Sequence, residues 1–504
     1  MRFVALQPGK RAADRWRGAL ADPKRGERVL LITLAIYVLL WTAYGTIAKN
    51  AQGLHPDMTE VIAWSRDLSL GYLKHPPFSA WVVWLWFSVF PVADWSYYLL
   101  AMLMPAVTLW IVWRMSEDYL DIDKRIVGLA LLTLVPFFNF HALKFNTNTV
   151  LLPLWAATTW FFLRSVRTCS TLWAALAGIA AAASMLGKYW SIFLLAGLAL
   201  AVVIDHRRLD YLWSPAPYIT AIAGSLALTP HLVWLTQHRF APFGYATAAH
   251  VEMPYAAIIS SIFGYLAGAL GYAAAPIAIV LVVAAPRLRA LADTMWPSDD
   301  DRRLAAASFW GPLLLPVIGA LVSRTELTPL WSMPAFSLLP VLLLSSPGVT
   351  LRPTVARRIL LGAAALPLVM LIVSPAVTMI AHCAGPAPAA AQERLLSEEV
   401  ERRWRQVTPE PLRFVGGNVD LAYGVITFAA DRPRALTGML QSSAAELAKS
   451  GWVLVCFAEG ADCRQEASAR GTEARLVEIE LVRKLAGIAG KPQRYTIVIV
   501  PPRP

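Results

Sequence analysis

Long apolar runs separated by short charged stretches fill the chain from Val29 to Ala381, and many approach the roughly 20 residues that a helix needs to cross a bilayer. They place spans near 29–48, 96–113, 126–139, 149–164, 172–187, 190–204, 216–235, 255–285, 304–323, 329–346 and 359–381. Lipid offers no partner to an unsatisfied peptide group, so about eleven such runs predict a polytopic α-helical bundle. The run Phe78–Phe90 is rich in tryptophan and ends at Pro91 after thirteen residues. It predicts an interfacial helix inside the loop 50–95 in place of a further crossing.

After Ala381 the pattern changes. A small-residue and proline linker occupies 382–392, and charge becomes dense over 393–504 while long apolar runs disappear. This predicts a small soluble α/β domain with helices at Glu398–Arg405 and Ala444–Lys449. Strands are expected at Arg413–Val415, Val425–Phe428, Val453–Phe457 and Tyr495–Val500. Gly416-Gly417-Asn418 lacks the glycine spacing of a dinucleotide loop, so nucleotide binding is not expected there.

Composition fits the same class: 57% of residues are hydrophobic, 15% are charged and 20 are tryptophan. The net charge of +12 has a topological explanation. Lys10, Arg11, Arg15, Arg17, Lys24, Arg25 and Arg28 form a basic tail over 1–28, and further basic loops lie at 114–125, 205–208, 287–303 and 352–358. Positive residues are retained on the cytoplasmic side, which puts the N-terminus there and the loop 50–95 and C-terminal domain on the opposite face. No nucleic-acid partner is implied. No small-residue cleavage site follows the first run, which reads as a retained anchor. Cys456 and Cys463 are the disulfide candidate, since six intervening residues can close a turn in an oxidising compartment.

The candidate chemistry lies in the loops. Asp57 and Glu60 are three apart, so a helix over Met58–Arg66 would put both carboxylates on one face. The pair fits a helix-cap role as well as general-base or metal work. Tyr72, Lys74 and His75 precede Pro76-Pro77, whose fixed backbone suits a turn that holds an anion. A second loop adds Lys144, Asn146 and Asn148, the last also placed to cap the following span. Lys188 interrupts an apolar stretch and marks a tight hairpin, an anion contact, or both. Segments 236–245 and 323–331 bring further polar and aromatic groups to the same face, among them Gln237, His238 and Arg324. Such a mixture suits a sugar.

The run D-x6-W-S-R followed by G-Y-x-K-H-P-P-F, then K-F-N-x-N-T-V-L-L-P-L-W and L-G-K-Y, resembles the polyprenyl-phosphate-sugar glycosyltransferases of the GT-C fold. It is most similar to the bacterial family 39, protein-mannosyltransferase-like group that decorates lipopolysaccharide, including aminoarabinose and, more nearly, galacturonic-acid transferases. G-G-N-x-D-L-A-Y and the final Y-T-I-V-I-V-P-P resemble the tail of the latter subgroup. The resemblance implies a GT-C bundle in a bacterial inner membrane, a polyprenyl-phosphate sugar donor, and a lipid A or lipopolysaccharide-core acceptor at the periplasmic face. It places the reacting carboxylate on Asp57, to which the three-residue spacing adds Glu60 as a candidate catalytic companion. It places donor-phosphate contacts on Tyr72 and His75; the loop residues themselves add Lys74 and Lys188 as candidate phosphate contacts and Lys144, Asn146, Asn148, Gln237, His238 and Arg324 as candidate substrate contacts.

Three departures stand out: Met58 follows Asp57 where an acidic pair is usual, Asn148 stands for a second-loop aspartate, and His75 replaces the lysine before Pro-Pro. They leave a divalent metal open. A protein O-mannosyltransferase shares the loop chemistry. A lipid-sugar flippase and a scaffold presenting the C-terminal domain are the non-enzyme alternatives.

Overall fold

The computed structural model describes residues 8–249, 252–385, 392–436, 444–458, 463, 465 and 474–502. The expected basic tail 1–28 and linker 382–392 therefore fall partly outside the described residues. Among the described residues seven helices are long and apolar enough to cross a membrane: Gly26–Ala48, Asp94–Asp118, Thr147–Thr168, Ala216–Gln237, Tyr255–Ala284, Asp300–Ser323 and Pro353–Ala384. The chain is a multi-pass membrane bundle, with shorter apolar helices packed among the seven.

The remaining expected spans are shorter elements. The 126–139 run is a helix over Ile122–Thr133, capped where the Asp121 side chain accepts from the Lys124 N–H, and then a 3₁₀ turn at Pro136–Phe138. Twelve residues reach only about 18 Å, short of the roughly 30 Å hydrocarbon core. The 329–346 run is a 3₁₀ helix, Pro329–Leu338, followed by a short α-helix, Leu339–Leu344. Pro334 and Pro340 each lack an N–H donor and interrupt a continuous α-helix. The more extended 3₁₀ rise still carries this segment across about 29 Å. Thr171–Gly187 and Ile192–Ile204 are joined by Lys188 and a 3₁₀ turn at Tyr189–Ser191 and pack on different helices, the first on Thr147–Thr168 and Ala216–Gln237 and the second on Asp300–Ser323, so the expected tight hairpin does not form. Gly178 lets Thr171–Gly187 approach Ala216–Gln237 so closely that a Cβ would stand 2.3 Å from the Thr220 carbonyl oxygen.

The loop 50–95 carries two helices, Pro56–Ser65 and Phe78–Val89. The second spans about 18 Å, too short to cross.

Among its described residues the C-terminal domain holds a five-stranded mixed sheet: β1 Phe414–Gly417, β2 Arg434–Ala435, β3 Trp452–Phe457, β4 Arg475–Leu481 and β5 Gln493–Val500. Its order is β2-β1-β3-β5-β4, parallel across β2-β1-β3 and antiparallel thereafter. Cys456 and Cys463 form a disulfide. The helix at Glu393–Arg405 begins earlier than the expected 398.

Val425–Phe428, expected as a strand, instead ends a helix over Val419–Phe428. The Asn418 side chain caps it by accepting from the Leu421 N–H. Leu421, Ala422, Val425 and Ile426 fall at helical spacing and bury together with Leu396, Val400 and Ala63 of the first loop. Burial on one face outweighs the β-branched preference of Val-Ile-Thr. β4 escaped the sequence pattern because it is a largely exposed edge strand.

Candidate active site

Helix Pro56–Ser65 sets the site's reference frame. His55 caps it, its Nδ1 accepting from the Asp57 N–H at 3.1 Å, with Pro56 at the first helical position. Asp57 thus sits in the first turn, and Glu60 follows one turn on. Both line a cavity of about 470 Å³, with Trp64, Lys74, His75, Asn148 and Lys188 among its other walls.

The two oxygens of Asp57 have different surroundings. Oδ2 accepts from Asn146 Nδ2 at 2.8 Å and pairs with Lys144 Nζ at 3.2 Å. Among the described residues no hydrogen bond reaches Oδ1. The ring nitrogen nearest to it is His55 Nδ1 at 3.7 Å, which accepts from the backbone and so has no proton to give Oδ1. Burial pushes the Asp57 carboxyl up, but Lys144, His55 and Asn146 together outweigh it and hold the group below the usual carboxylate range. Asp57 is therefore ionised at neutral pH, anchored through one oxygen and open at the other.

Asn146 orients this anchor. Its Oδ1 caps helix Thr147–Thr168 by accepting from the Asn148 and Thr149 N–H groups, which turns its amide nitrogen towards Asp57. The expected cap at Asn148 is thus corrected to Asn146. Asn148, released from capping, accepts from Lys188 Nζ through its Oδ1 at 2.8 Å.

Glu60 receives Lys74 Nζ on both oxygens, at 3.2 and 3.0 Å. Burial pushes Glu60 up, while the Glu60 charge overcomes burial to push Lys74 up. The two short contacts favour the charged pair. Lys188 ends helix Thr171–Gly187, and its ammonium lies 4.9 Å from the Trp331 ring centre. Burial, reinforced by Lys74 and Lys144, lowers Lys188 to about 7 despite the opposing pull of Asp57. Burial, then Lys188 and Lys74, lower His75 to about 3, so its imidazole lines the cavity as a neutral hydrogen-bonding group.

Tyr72 does not line the cavity. Its hydroxyl reaches the Trp64 and Asp67 carbonyl oxygens at 3.0 and 2.9 Å, its ring stacks on Trp64, and its N–H bonds the His75 carbonyl oxygen at 3.1 Å. It closes the turn that presents Lys74 and His75.

Four expected substrate residues are not on the cavity wall: Lys144, which instead pairs with Asp57, and Gln237, His238 and Arg324. Gln237 and His238 are exposed at the end of Ala216–Gln237, with His238 stacked on Trp234. Arg324 pairs with Glu252 and the Met253 carbonyl oxygen. Their neighbours Tyr245, Thr325 and Trp331 line the cavity instead, as do Tyr189 and Trp190 beside Lys188. Among the described residues no cluster of three or more His, Cys, Asp or Glu side chains could hold a metal. Asp57 and Glu60 each hold a lysine, so the residues present do not fit a divalent ion.

The C-terminal domain also reaches the site, which the sequence pattern did not reveal. Helix Val419–Phe428 packs on Pro56–Ser65. It brings the Asp420 charge into the field of Asp57 and Lys74, and Tyr423 close to Glu60 and Trp64. The contact is fixed by Arg434 Nε to Asp67 Oδ1 at 2.9 Å, Arg66 to the Ile426 carbonyl oxygen at 3.4 Å, and the Leu54 N–H to buried Glu393 Oε2 at 3.3 Å.

A family model described as dolichyl-phosphate-mannose-protein mannosyltransferase matches residues 74–234, a stretch that holds Lys74, Asn146 and Lys188 but not Asp57. A search among curated protein sequences finds no match. Among solved structures, ArnT from Cupriavidus metallidurans in the apo state is similar with a TM-score of 0.61 at 14% identity, over 93% of this chain and 97% of that one. The same protein bound to undecaprenyl phosphate aligns over the same shares of both chains, with a TM-score of 0.57 at 13% identity. At these identities the likeness is one of fold, and it extends over the bundle and the C-terminal domain together.

Proposed function

We propose that this chain transfers a sugar from a polyprenyl-phosphate donor to a hydroxyl of lipid A or the lipopolysaccharide core, with inversion, at the periplasmic face of a bacterial inner membrane. One observation carries the reading: the open Oδ1 of an ionised Asp57 shares a single cavity with Lys74 and Lys188. Asp57 accepts the proton of the acceptor hydroxyl as that oxygen attacks the anomeric carbon and the lipid phosphate leaves. Lys74 spends two N–H donors on Glu60 and keeps one for a phosphate oxygen, and Lys188 supplies a second cation. Neutral His75 offers at most one further N–H. Asn146 holds Asp57 in place. The binding of undecaprenyl phosphate by ArnT, whose fold this chain shares, supports a lipid-phosphate donor.

Mass spectrometry of lipid A and core oligosaccharide tests this in cells carrying the native gene, a deletion, or Asp57→Asn. A sugar increment seen only with the native protein is expected. The description of the matched family model favours a second reading, transfer to a protein hydroxyl. Unchanged lipids together with a lost glycoprotein signal would select it.

A further inference from the structure

A hydrogen-bond chain through the buried His231 ends on the cavity wall and plays no part in the proton or phosphate chemistry above. Tyr189 lines the cavity beside Lys188, and its Oη lies 3.0 Å from Nε2 of His231. His231, on helix Ala216–Gln237, is 3% exposed, and its Nδ1 lies 2.6 Å from the carbonyl oxygen of Leu70 in the first loop. Tyr189 and Trp234 both stack on the imidazole, with ring centres at 5.8 and 5.9 Å. Gly71 rests on Trp234 so closely that a Cβ would come within 2.3 Å of the indole. The ring is therefore fixed in place by the loop and the helix together.

This geometry determines the direction of the chain. A carbonyl oxygen only accepts, so Nδ1 of His231 carries a proton. Among the described residues no carboxylate bonds this ring, and an imidazolium there would be a buried charge without a counterion. In the neutral ring Nε2 has only a lone pair, and Tyr189 must give it the hydroxyl proton. What Oη retains is acceptor capacity. A phosphate oxygen, itself only an acceptor, gains nothing from it. A sugar hydroxyl or ammonium does.

We infer that Tyr189, oriented by His231, recognises a hydrogen-bond donor on the sugar of the lipid-linked substrate and leaves the phosphate to the lysines. This rests on the donor class proposed above. His231 acts as a positioning residue through Tyr189.

The test compares binding of undecaprenyl phosphate, undecaprenyl phosphomannose and undecaprenyl phosphogalacturonate to the purified full chain, followed by tryptophan fluorescence. The native protein should bind at least one sugar-bearing lipid more tightly than the bare phosphate. Tyr189→Phe keeps the stacked ring and should lose about 2- to 12-fold of that preference, the worth of one hydrogen bond, with bare-phosphate affinity unchanged. His231→Asn can still donate to Leu70 but offers Tyr189 no acceptor at the Nε2 position, and it should lose the preference as well. The double variant should then lose no more than either single change.

Equal weakening of bare and sugar-bearing lipids by Tyr189→Phe would show that Oη serves the phosphate, and would overturn the inference. Loss of thermal stability in His231→Asn with the preference intact would reduce His231 to a seat for the loop. Native protein that binds none of the three lipids would instead refute the donor class itself.

Discussion

Replacing Asp57 with asparagine should separate chemistry from structure. The substitution keeps an oxygen at the Oδ2 position, where Lys144 and Asn146 are anchored at 3.2 and 2.8 Å. It puts an amide nitrogen, with no lone pair to offer, at the open Oδ1 position. The structural cost is small: the side chains of Lys144 and Asp57 are 25% and 37% exposed, so their ion pair contributes about 0–1 kcal/mol. Removing a positioned general base costs about 10²- to 10⁴-fold in rate, or roughly 3–5.5 kcal/mol of barrier. The chemical loss should thus exceed the structural loss by about 2 kcal/mol or more. Three measurements on one purified preparation decide it: initial transfer rate from a lipid-linked sugar, affinity for undecaprenyl phosphate, and Tm. The expected result is a rate at least about 100-fold lower, affinity unchanged within about threefold, and Tm within about 4 °C of native. A rate loss under tenfold, or one that tracks a collapse in Tm, would refute the base assignment and leave Asp57 as a structural partner of Lys144 and Asn146.

Lys188, lowered to about 7 by burial, should make donor binding pH-dependent. An anionic phosphate needs the ammonium, so affinity for undecaprenyl phosphate should hold below pH 7 and fall as pH rises above it, by up to about tenfold per unit. Lys188→Arg, which stays charged, should flatten that limb, and an unchanged limb would reassign it. Burial, with Asp94 adding to it, raises the Glu393 carboxyl well above its ordinary range. A carboxyl raised on folding lends full stability below its unfolded pKa and loses it as pH rises towards the folded value. Proteolytic protection of the C-terminal domain should therefore decline with rising pH in the native chain but stay level in Glu393→Gln, which still accepts from Leu54; parallel curves would discard this. Asn146→Ala removes both the helix cap and the Asp57 anchor. It should lower Tm through about 1 kcal/mol of lost capping and also lower the transfer rate, whereas Asn146→Asp should restore the cap alone. A native rate in Asn146→Asp would mean that the amide contact is not what positions Asp57.

Local periodicity disclosed much of this molecule. Seven of the expected apolar runs are helices of crossing length. The three-residue spacing of Asp57 and Glu60 placed both on the cavity wall because a helix folds there. Sequence reading failed where a decision depended on distant chain. The pattern at 144–149 does not say which of two asparagines caps the helix, and the answer brings one side chain to Asp57 and the other to Lys188. Segments 236–245 and 323–331 reach the cavity through Tyr245, Thr325 and Trp331, not through the polar residues Gln237, His238 and Arg324 that attract attention in a sequence. Val425–Phe428 has strand composition but is held helical by contacts with the first loop and Glu393–Arg405. His231 sits in an apolar span, where a lone histidine gives no hint that Leu70 and Tyr189 lie on either side of it.

The distribution of charge gives the site a reason to hold lysines on both sides of Asp57. In the proposed reaction the donor is a phosphodiester with one negative charge, and the departing lipid phosphate carries two. The proton released by the acceptor hydroxyl neutralises Asp57 in the same event, so the total charge within the walls stays constant while one negative charge moves from Asp57 to the phosphate. Low-dielectric surroundings make that displacement costly unless cations stand ready at both ends. Lys144 and Asn146 serve the end where charge is lost, and Lys74 and Lys188 the end where it arrives. Lys188, poised near pH 7 while the cavity lacks its anion, regains full charge as the phosphate enters, so the cation is strongest when the leaving group forms. A chain with Lys188→Met should accordingly keep an ionised Asp57 and still lose turnover, because its base would have no stabilised leaving group to act with. If that variant transferred sugar at the native rate, the charge would have to be received elsewhere, and Lys74 alone would be the remaining cation on the phosphate side.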